Sequence, residues 1–151
     1  MREEIIFEKL SGKNFDKFVE LIRVFADFEK LTPPDEDAKK RLKKDGMGKH
    51  PKYDAYLVKV NGKYAAYTVF YMTYSSFSAM QKLFIDDIFI LEEFRRKGIG
   101  KKILDFAINI AKKKKCKAID LNVIDWNINA INFYKKNKFK FVNWELYRLE
   151  L

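Results

Sequence analysis

One cysteine, Cys116, leaves no partner for an internal disulfide. A reduced, cytoplasmic setting is therefore expected. Three prolines and six glycines are too few for a long linker, so a single domain over 1–151 is expected. No run of 18 apolar residues occurs, which argues against a membrane-spanning helix and a membrane partner. Met1-Arg2-Glu3-Glu4-Ile5 has neither the basic region nor the apolar stretch of a signal peptide. The only histidine, His50, sits in a Gly-Lys-His-Pro loop, where a turn role fits better than catalysis.

What is present is aromatic and basic. Fourteen Phe and eight Tyr, within a 48% hydrophobic composition, exclude a disordered chain. A net charge of +10 is compatible with nucleic acid, a polyanionic small ligand or a solvated surface.

Periodicity gives a strand over 4–10 and an amphipathic helix over 14–30, with Phe15, Phe18, Val19, Ile22, Phe25 and Ala26 on one face. Thr32-Pro33-Pro34 stops that helix. A short charged helix over 35–44 follows, ended by Asp45-Gly46. Strands over 55–60 and 63–72 flank Asn61-Gly62, a two-residue hairpin signal. An apolar strand over 83–90 precedes the strongest helix, 98–114. A strand over 118–124, a short helix over 129–137 and closing strands over 139–141 and 145–151 complete the chain. The order β-α-α-β-β-β-α-β-α-β-β predicts an α/β (α+β) fold in which only the central strand-helix-strand segment needs a parallel crossover.

Three segments carry chemistry. Arg95-x-x-Gly98-x-Gly100 joins a strand to a helix N-terminus, where free N–H groups and the helix dipole favour phosphate. A glycine turn before a solvated helix is the competing reading. The pattern is neither Walker A nor G-x-G-x-x-G. Asp86-Asp87 interrupts an apolar strand whose neighbouring residues face opposite sides, so at least one carboxylate points inward. It serves either an ion pair or a cation-binding, proton-accepting group. In the segment 126–137, Asn127 or Asn129 can cap the short helix, and Tyr134 can pack in the core or face a ligand.

In this order and spacing these segments resemble the GNAT acetyltransferase superfamily. The resemblance is closest to its spermidine/spermine and thialysine N-acetyltransferase branch. Phe25-Ala26-Asp27-Phe28-Glu29, Asp45-Gly46-Met47-Gly48-Lys49-His50-Pro51-Lys52-Tyr53, the strand 83–90 and the segment 126–135 carry it. It implies a GNAT fold, a mixed, mostly antiparallel twisted sheet of six to seven strands flanked by about four helices. It implies acetyl-coenzyme A as co-substrate, no metal, a small amine as partner and a homodimer. The implied pyrophosphate cradle is Arg95, Arg96, Lys97, Gly98, Ile99, Gly100 and Lys101. Ile88, Phe89 and Ile90 would pair with the pantetheine arm, while Asn127, Asn129, Ala130 and Phe133 contact the cofactor from another side. Tyr134 matches the general acid. Asp86 stands where the family has a Glu acting on the amine through water. Phe28, Glu29, Asp86, Asp87, Asn122 and Trp144 are implied around the acceptor. Polyamine enzymes carry an acidic residue and a Trp in the loop that reads Tyr74-Ser75-Ser76-Phe77-Ser78-Ala79-Met80 here, so that carboxylate is absent.

The implied roles are chemically reasonable. An alkyl ammonium has a pKa of about 10.4, so presenting the free amine at pH 7 costs roughly 4 to 5 kcal/mol. A carboxylate near pKa 4 is a poor direct base but attracts the cation and orients water. Transfer to a diamine, polyamine or lysine-like amine, by direct attack in a ternary complex, is the leading expectation. Acetylation of a protein N-terminus or lysine is the second. A basic nucleic-acid-binding domain is the third, and it leaves 95–100 and 132–134 unexplained.

Overall fold

The computed structural model describes residues 3–151. The signal-peptide reading falls partly on Met1 and Arg2, which lie outside the described residues. The chain divides into two compact units, the first ending at Leu121 and the second running Asn122–Leu151.

The first unit contains β1 (Ile5–Lys9), α1 (Phe15–Glu29), α2 (Glu36–Gly46), β2 (Asp54–Val60), β3 (Lys63–Ser75) and β4 (Met80–Ile90). A 3-10 turn (Glu92–Phe94), α3 (Ile99–Lys113) and β5 (Ile119–Leu121) complete it. The strands form one sheet in the order β1-β2-β3-β4-β5. All neighbours are antiparallel except β4 and β5, the pair joined through α3. The parallel pair sits where the β-α-β order demanded a crossover.

Local chemistry explains the boundaries. Asn61 and Gly62 have φ of 49° and 78°, the double positive φ of a two-residue hairpin turn. Asp35 caps α2, its side chain accepting from the Ala38 N–H at 2.8 Å. Asn14 precedes α1 without capping it. Its side chain accepts from Ser11 N–H and donates to the Lys9 carbonyl, tying the end of β1 to the helix start.

The sheet is covered on both faces, which is why β3 is buried continuously from Ala65 to Phe70. One core joins Phe15, Phe18, Val19 and Leu21 of α1 to Leu57, Tyr67, Val69 and Phe89. The other joins Ile99 and Ile103 of α3 to Val58, Val60, Ala65 and Ala66. Leu57 and Val58 belong to different cores because consecutive strand residues face opposite sides.

The second unit holds α4 (Ile128–Lys136) followed by residues 139–151, which are in neither helix nor strand. Here the structure corrects the sequence expectation. Residues 139–141 and 145–151 form no strands, so the sheet has five strands rather than six or seven. Their alternation suits a strand, but strand pairing needs another chain segment's N–H and C=O groups. No described residue supplies them. The fold class stands, with four α-helices among the described residues, as expected.

Candidate active site

The register of β4 against β3 decides where the paired carboxylates point. Val69 pairs with Asp87 and Phe70 with Ile85, so Asp86 is an extra residue with no partner, a β-bulge. Alternation along the strand predicts that at least one carboxylate turns inward. The bulge lets both Asp86 and Asp87 line one cavity of about 480 Å³. Phe18, Ile22, Val69 and Tyr71 form further wall, and Arg41, Leu42, Asp45, Lys52 and Tyr53 complete the side built by α2 and its following loop.

Among the described residues, no cation pairs with Asp87. Its carboxylate accepts from the Tyr67 hydroxyl at 3.3 Å, and its backbone carbonyl accepts from Thr68 Oγ1 at 2.9 Å. Burial raises the Asp87 carboxyl to about 7, the negative charges of Asp86 and Glu29 add to the rise, and the Tyr67 hydrogen bond opposes it. Burial also pushes the Asp86 and Glu29 carboxyls upward. Tyr67 is lifted far above an ordinary phenol, by burial first and then by Asp87. Glu29, Asp86 and Asp87 thus form one acidic cluster around a buried tyrosine. Desolvation favours proton acceptance by Asp87 near neutrality, and the negative charge favours binding a cation.

The junction after β4 has a different character. Arg96 and Gly98 both have positive φ, 61° and 78°. The backbone N–H groups from Arg96 through Lys101 have no hydrogen-bond partner among the described residues. Six consecutive free donors leading into the N-terminus of a 15-residue helix suit a phosphate-bearing ligand. Arg95 differs from the rest of the loop. Its Nε donates to the Ile90 carbonyl at 2.8 Å, and its guanidinium lies over the rings of Phe28 and Phe89 at 4.9 and 5.7 Å. It fixes the loop to the strand end and to α1.

β4 also offers an edge. β5 pairs only with Leu83, Phe84 and Ile85. From Asp87 to Ile90 the strand is paired with β3 alone among the described residues. Ile88, Phe89 and Ile90 lie on that open stretch, with the Phe89 ring stacked on Phe25 at 4.9 Å.

The second unit has its own constellation. Asn127, rather than Asn129, caps α4, its Oδ1 accepting from Ala130 N–H at 3.1 Å. Tyr134 lies edge-on to Phe133 and Phe139, with centroids at 5.3 and 5.5 Å. Burial pushes its hydroxyl up to about 12. Asn122 and Asn129 are exposed, and Trp144 is 84% exposed.

Sequence reasoning missed Tyr67, Tyr71 and Arg41. A tyrosine inside the apolar run Ala65–Phe70 was the available signal for Tyr67, because a buried hydroxyl needs a partner. Arg41 gave no signal, standing among five other charged residues over 39–45.

A family model described as the Acetyltransferase (GNAT) family matches residues 16–139. A thialysine N-epsilon-acetyltransferase from Mus musculus is 29% identical over 76% of this chain and 72% of its own length. The L-ornithine N5-acetyltransferase NATA1 of Arabidopsis thaliana is 43% identical over 56% of this chain and 38% of its own. A spermine/spermidine N(1)-acetyltransferase from Bacillus subtilis (strain 168) is 41% identical over 43% of each. Among solved structures, a possible acetyltransferase from Clostridium difficile 630 matches with a TM-score of 0.82 at 21% identity, covering 97% of both chains. The last likeness is one of fold.

Proposed function

From the premise that this chain belongs to the acetyltransferase (GNAT) family and is an N-acetyltransferase, we propose that it acetylates a primary amine of a small cationic substrate. The substrate class is a diamine, a polyamine or a lysine-like molecule. Acetyl-coenzyme A supplies the acetyl group, which the amine attacks directly in a ternary complex. The observation that carries this reading is the bulge that turns Asp86 and Asp87 into one cavity.

The residues fit a coenzyme A ligand. The free N–H groups of 96–101, with the charges of Arg96, Lys97 and Lys101, would hold its pyrophosphate. The open edge at Ile88, Phe89 and Ile90 would hold the pantetheine arm by backbone pairing. By the family pattern, Asn127, Asn129, Ala130 and Phe133 are proposed as further contacts to the cofactor.

The acidic cluster receives the acceptor. Glu29, with Phe28 beside it, and the pair Asp86 and Asp87 attract the ammonium. The pair then takes its proton, directly or through water. The poor-base objection weakens here, because burial lifts Asp87 to about 7 and so narrows the gap to an amine of pKa about 10.4. By the family pattern Tyr134 donates a proton to the departing thiolate, a role for which a hydroxyl still protonated at neutral pH is suited. Asn122 and Trp144 are proposed to complete the acceptor's surroundings.

One functional domain, a cytoplasmic location and a homodimer belong to the same proposal. The family match crosses the boundary between the two units, which supports the first. The free thiol of Cys116 is in keeping with the second. For the third, Phe141, Trp144, Tyr147 and Leu149 are each 83% or 84% exposed, an apolar segment suited to a partner strand.

Titration calorimetry with acetyl-coenzyme A, followed by an acetylation screen of amines, tests the function. Micromolar binding and turnover of at least one small amine are expected. No binding at millimolar ligand would sink the reading.

A further inference from the structure

The bulge also decides which carboxylate meets Tyr67. Phe70 stands opposite Ile85, and past the extra residue Asp86 the ladder resumes with Val69 opposite Asp87. Without that residue Val69 would face Asp86, and Asp87 would point to the other side of the sheet. The bulge thus puts Asp87 on the face that carries Val69 and Tyr67, where Tyr67 is its diagonal neighbour across the strands.

Tyr67 is fully buried, and its hydroxyl donates to Asp87 Oδ2 at 3.3 Å. That is longer than the usual O–H···O distance of about 2.5 to 3.0 Å, and it suits a contact that tightens when the reacting charge arrives. Thr68, the next residue of β3, holds the Asp87 backbone carbonyl at 2.9 Å. Asp87 is gripped by main chain and side chain, and its Oδ1 has no hydrogen-bond partner among the described residues. Packing does not call for the Tyr67 hydroxyl. The ring meets Phe18, Phe25 and Phe89 at centroid distances of 5.5, 6.3 and 6.2 Å, contacts that a phenylalanine would also make. Resting on the acetyltransferase reading above, we propose that Tyr67 is a positioning residue for proton transfer. Its hydroxyl fixes one oxygen of Asp87 and leaves the other to the substrate amine or its water.

The surrounding groups set the direction of the effect. Asp86 on β4 and Glu29 on α1 disfavour ionisation of Asp87. Tyr71 on β3, Arg41 and Asp45 on α2, and Lys52 and Tyr53 in the loop after it share the cavity, with Lys52 engaged by Asp45 at 3.0 Å. Burial keeps the Tyr67 hydroxyl protonated, so it donates, and donation favours the ionised carboxylate.

The test is the pH profile of Tyr67→Phe with acetyl-coenzyme A and the fastest acceptor among putrescine, spermidine, lysine and thialysine. The rising limb of kcat/KM should move up by about one pH unit, the scale of one hydrogen bond to a charged group. At pH 7 that lowers kcat/KM about fivefold, with the loss recovered at higher pH and KM for acetyl-coenzyme A kept within about twofold. A packing role alone would lower Tm and leave the limb in place. A second measurement needs no variant: in the wild type, the Tyr67 ring signals in NMR should shift with pH at the midpoint of the kinetic limb. An unmoved limb, a loss equal at every pH, or Tyr67 signals blind to pH across that limb would overturn the proposal. Failure of the underlying reading looks different: no amine is acetylated, and the role of Tyr67 falls with it.

Discussion

Tyr67 donates its hydroxyl to Asp87 across 3.3 Å, while Asp86, the next carboxylate along β4, stands in the bulge. The two acids share a cavity, and the charge of Asp86 raises the cost of ionising Asp87. Their titration therefore belongs to the pair. If the pair takes the substrate proton, kcat/KM should rise as pH passes through about 7, where Asp87 ionises. Asp86→Asn removes a like charge, so this limb should move to lower pH. Asp87→Asn should abolish it and lower the rate by about a hundredfold, the scale of a lost general base. A limb unchanged in both variants would remove the pair from proton transfer.

The same shift has a stability sign. Asp87 binds its proton more tightly folded than unfolded, because its folded value is raised from 3.8 to about 7. Its contribution is fully favourable below about 4 and is lost as pH rises through 7. Thermal unfolding of Asp87→Asn should lack this decline and show a higher Tm than wild type at pH 8, by a few degrees for a chain of this size.

Gly46 ends α2 against Tyr53. A Cβ there would stand 2.2 Å from Tyr53 Oη and 2.4 Å from its Cζ. The ring would have to move, giving up the 2.7 Å hydrogen bond that its hydroxyl donates to the Leu42 carbonyl. Gly46→Ala should therefore cost about 1 to 3 kcal/mol in thermal or denaturant unfolding. Because Tyr53 lines the cavity, KM for the amine should rise more than KM for acetyl-coenzyme A. An unchanged Tm would show that the ring shifts freely.

Much of this was readable beforehand, and for physical reasons. The Asn61-Gly62 turn, the apolar stripes of α1 and α3 and the glycines after β4 are local signals, each tied to one backbone geometry. The bulge at Asp86 is not local, since it arises from how β4 registers on β3. That register decides whether one carboxylate or two enter the cavity. The C-terminal strands failed for the opposite reason. Their alternation is a local property, while pairing needs a partner that no described residue supplies.

Tyr134→Phe keeps the ring between Phe133 and Phe139 and removes only the hydroxyl. If that hydroxyl protonates the leaving thiolate, turnover should fall by about a hundredfold while coenzyme A affinity by calorimetry stays within twofold. Activity equal to wild type would leave Tyr134 a packing residue.

Gly98 tests the phosphate cradle from its backbone. It holds φ of 78° and introduces α3, and a Cβ there would meet nothing within 4 Å. Substitution is thus free of clash and carries only the conformational cost of a side chain in the left-handed region, about 1 to 2 kcal/mol. Two outcomes are possible for Gly98→Ala. If the packing of Ile99 and Ile103 holds the loop in place, the cost appears as a Tm lowered by about 2 to 8 °C with coenzyme A binding kept. If the loop relaxes instead, the free N–H groups at Lys97 to Gly100 turn away from the ligand and coenzyme A affinity falls by about tenfold or more. Because Ile99 is buried, 1% exposed, and anchors the first turn of α3, the first outcome is expected. Calorimetry against coenzyme A and against a dephosphorylated pantetheine analogue separates the two, since only a distorted cradle would narrow the difference between the ligands.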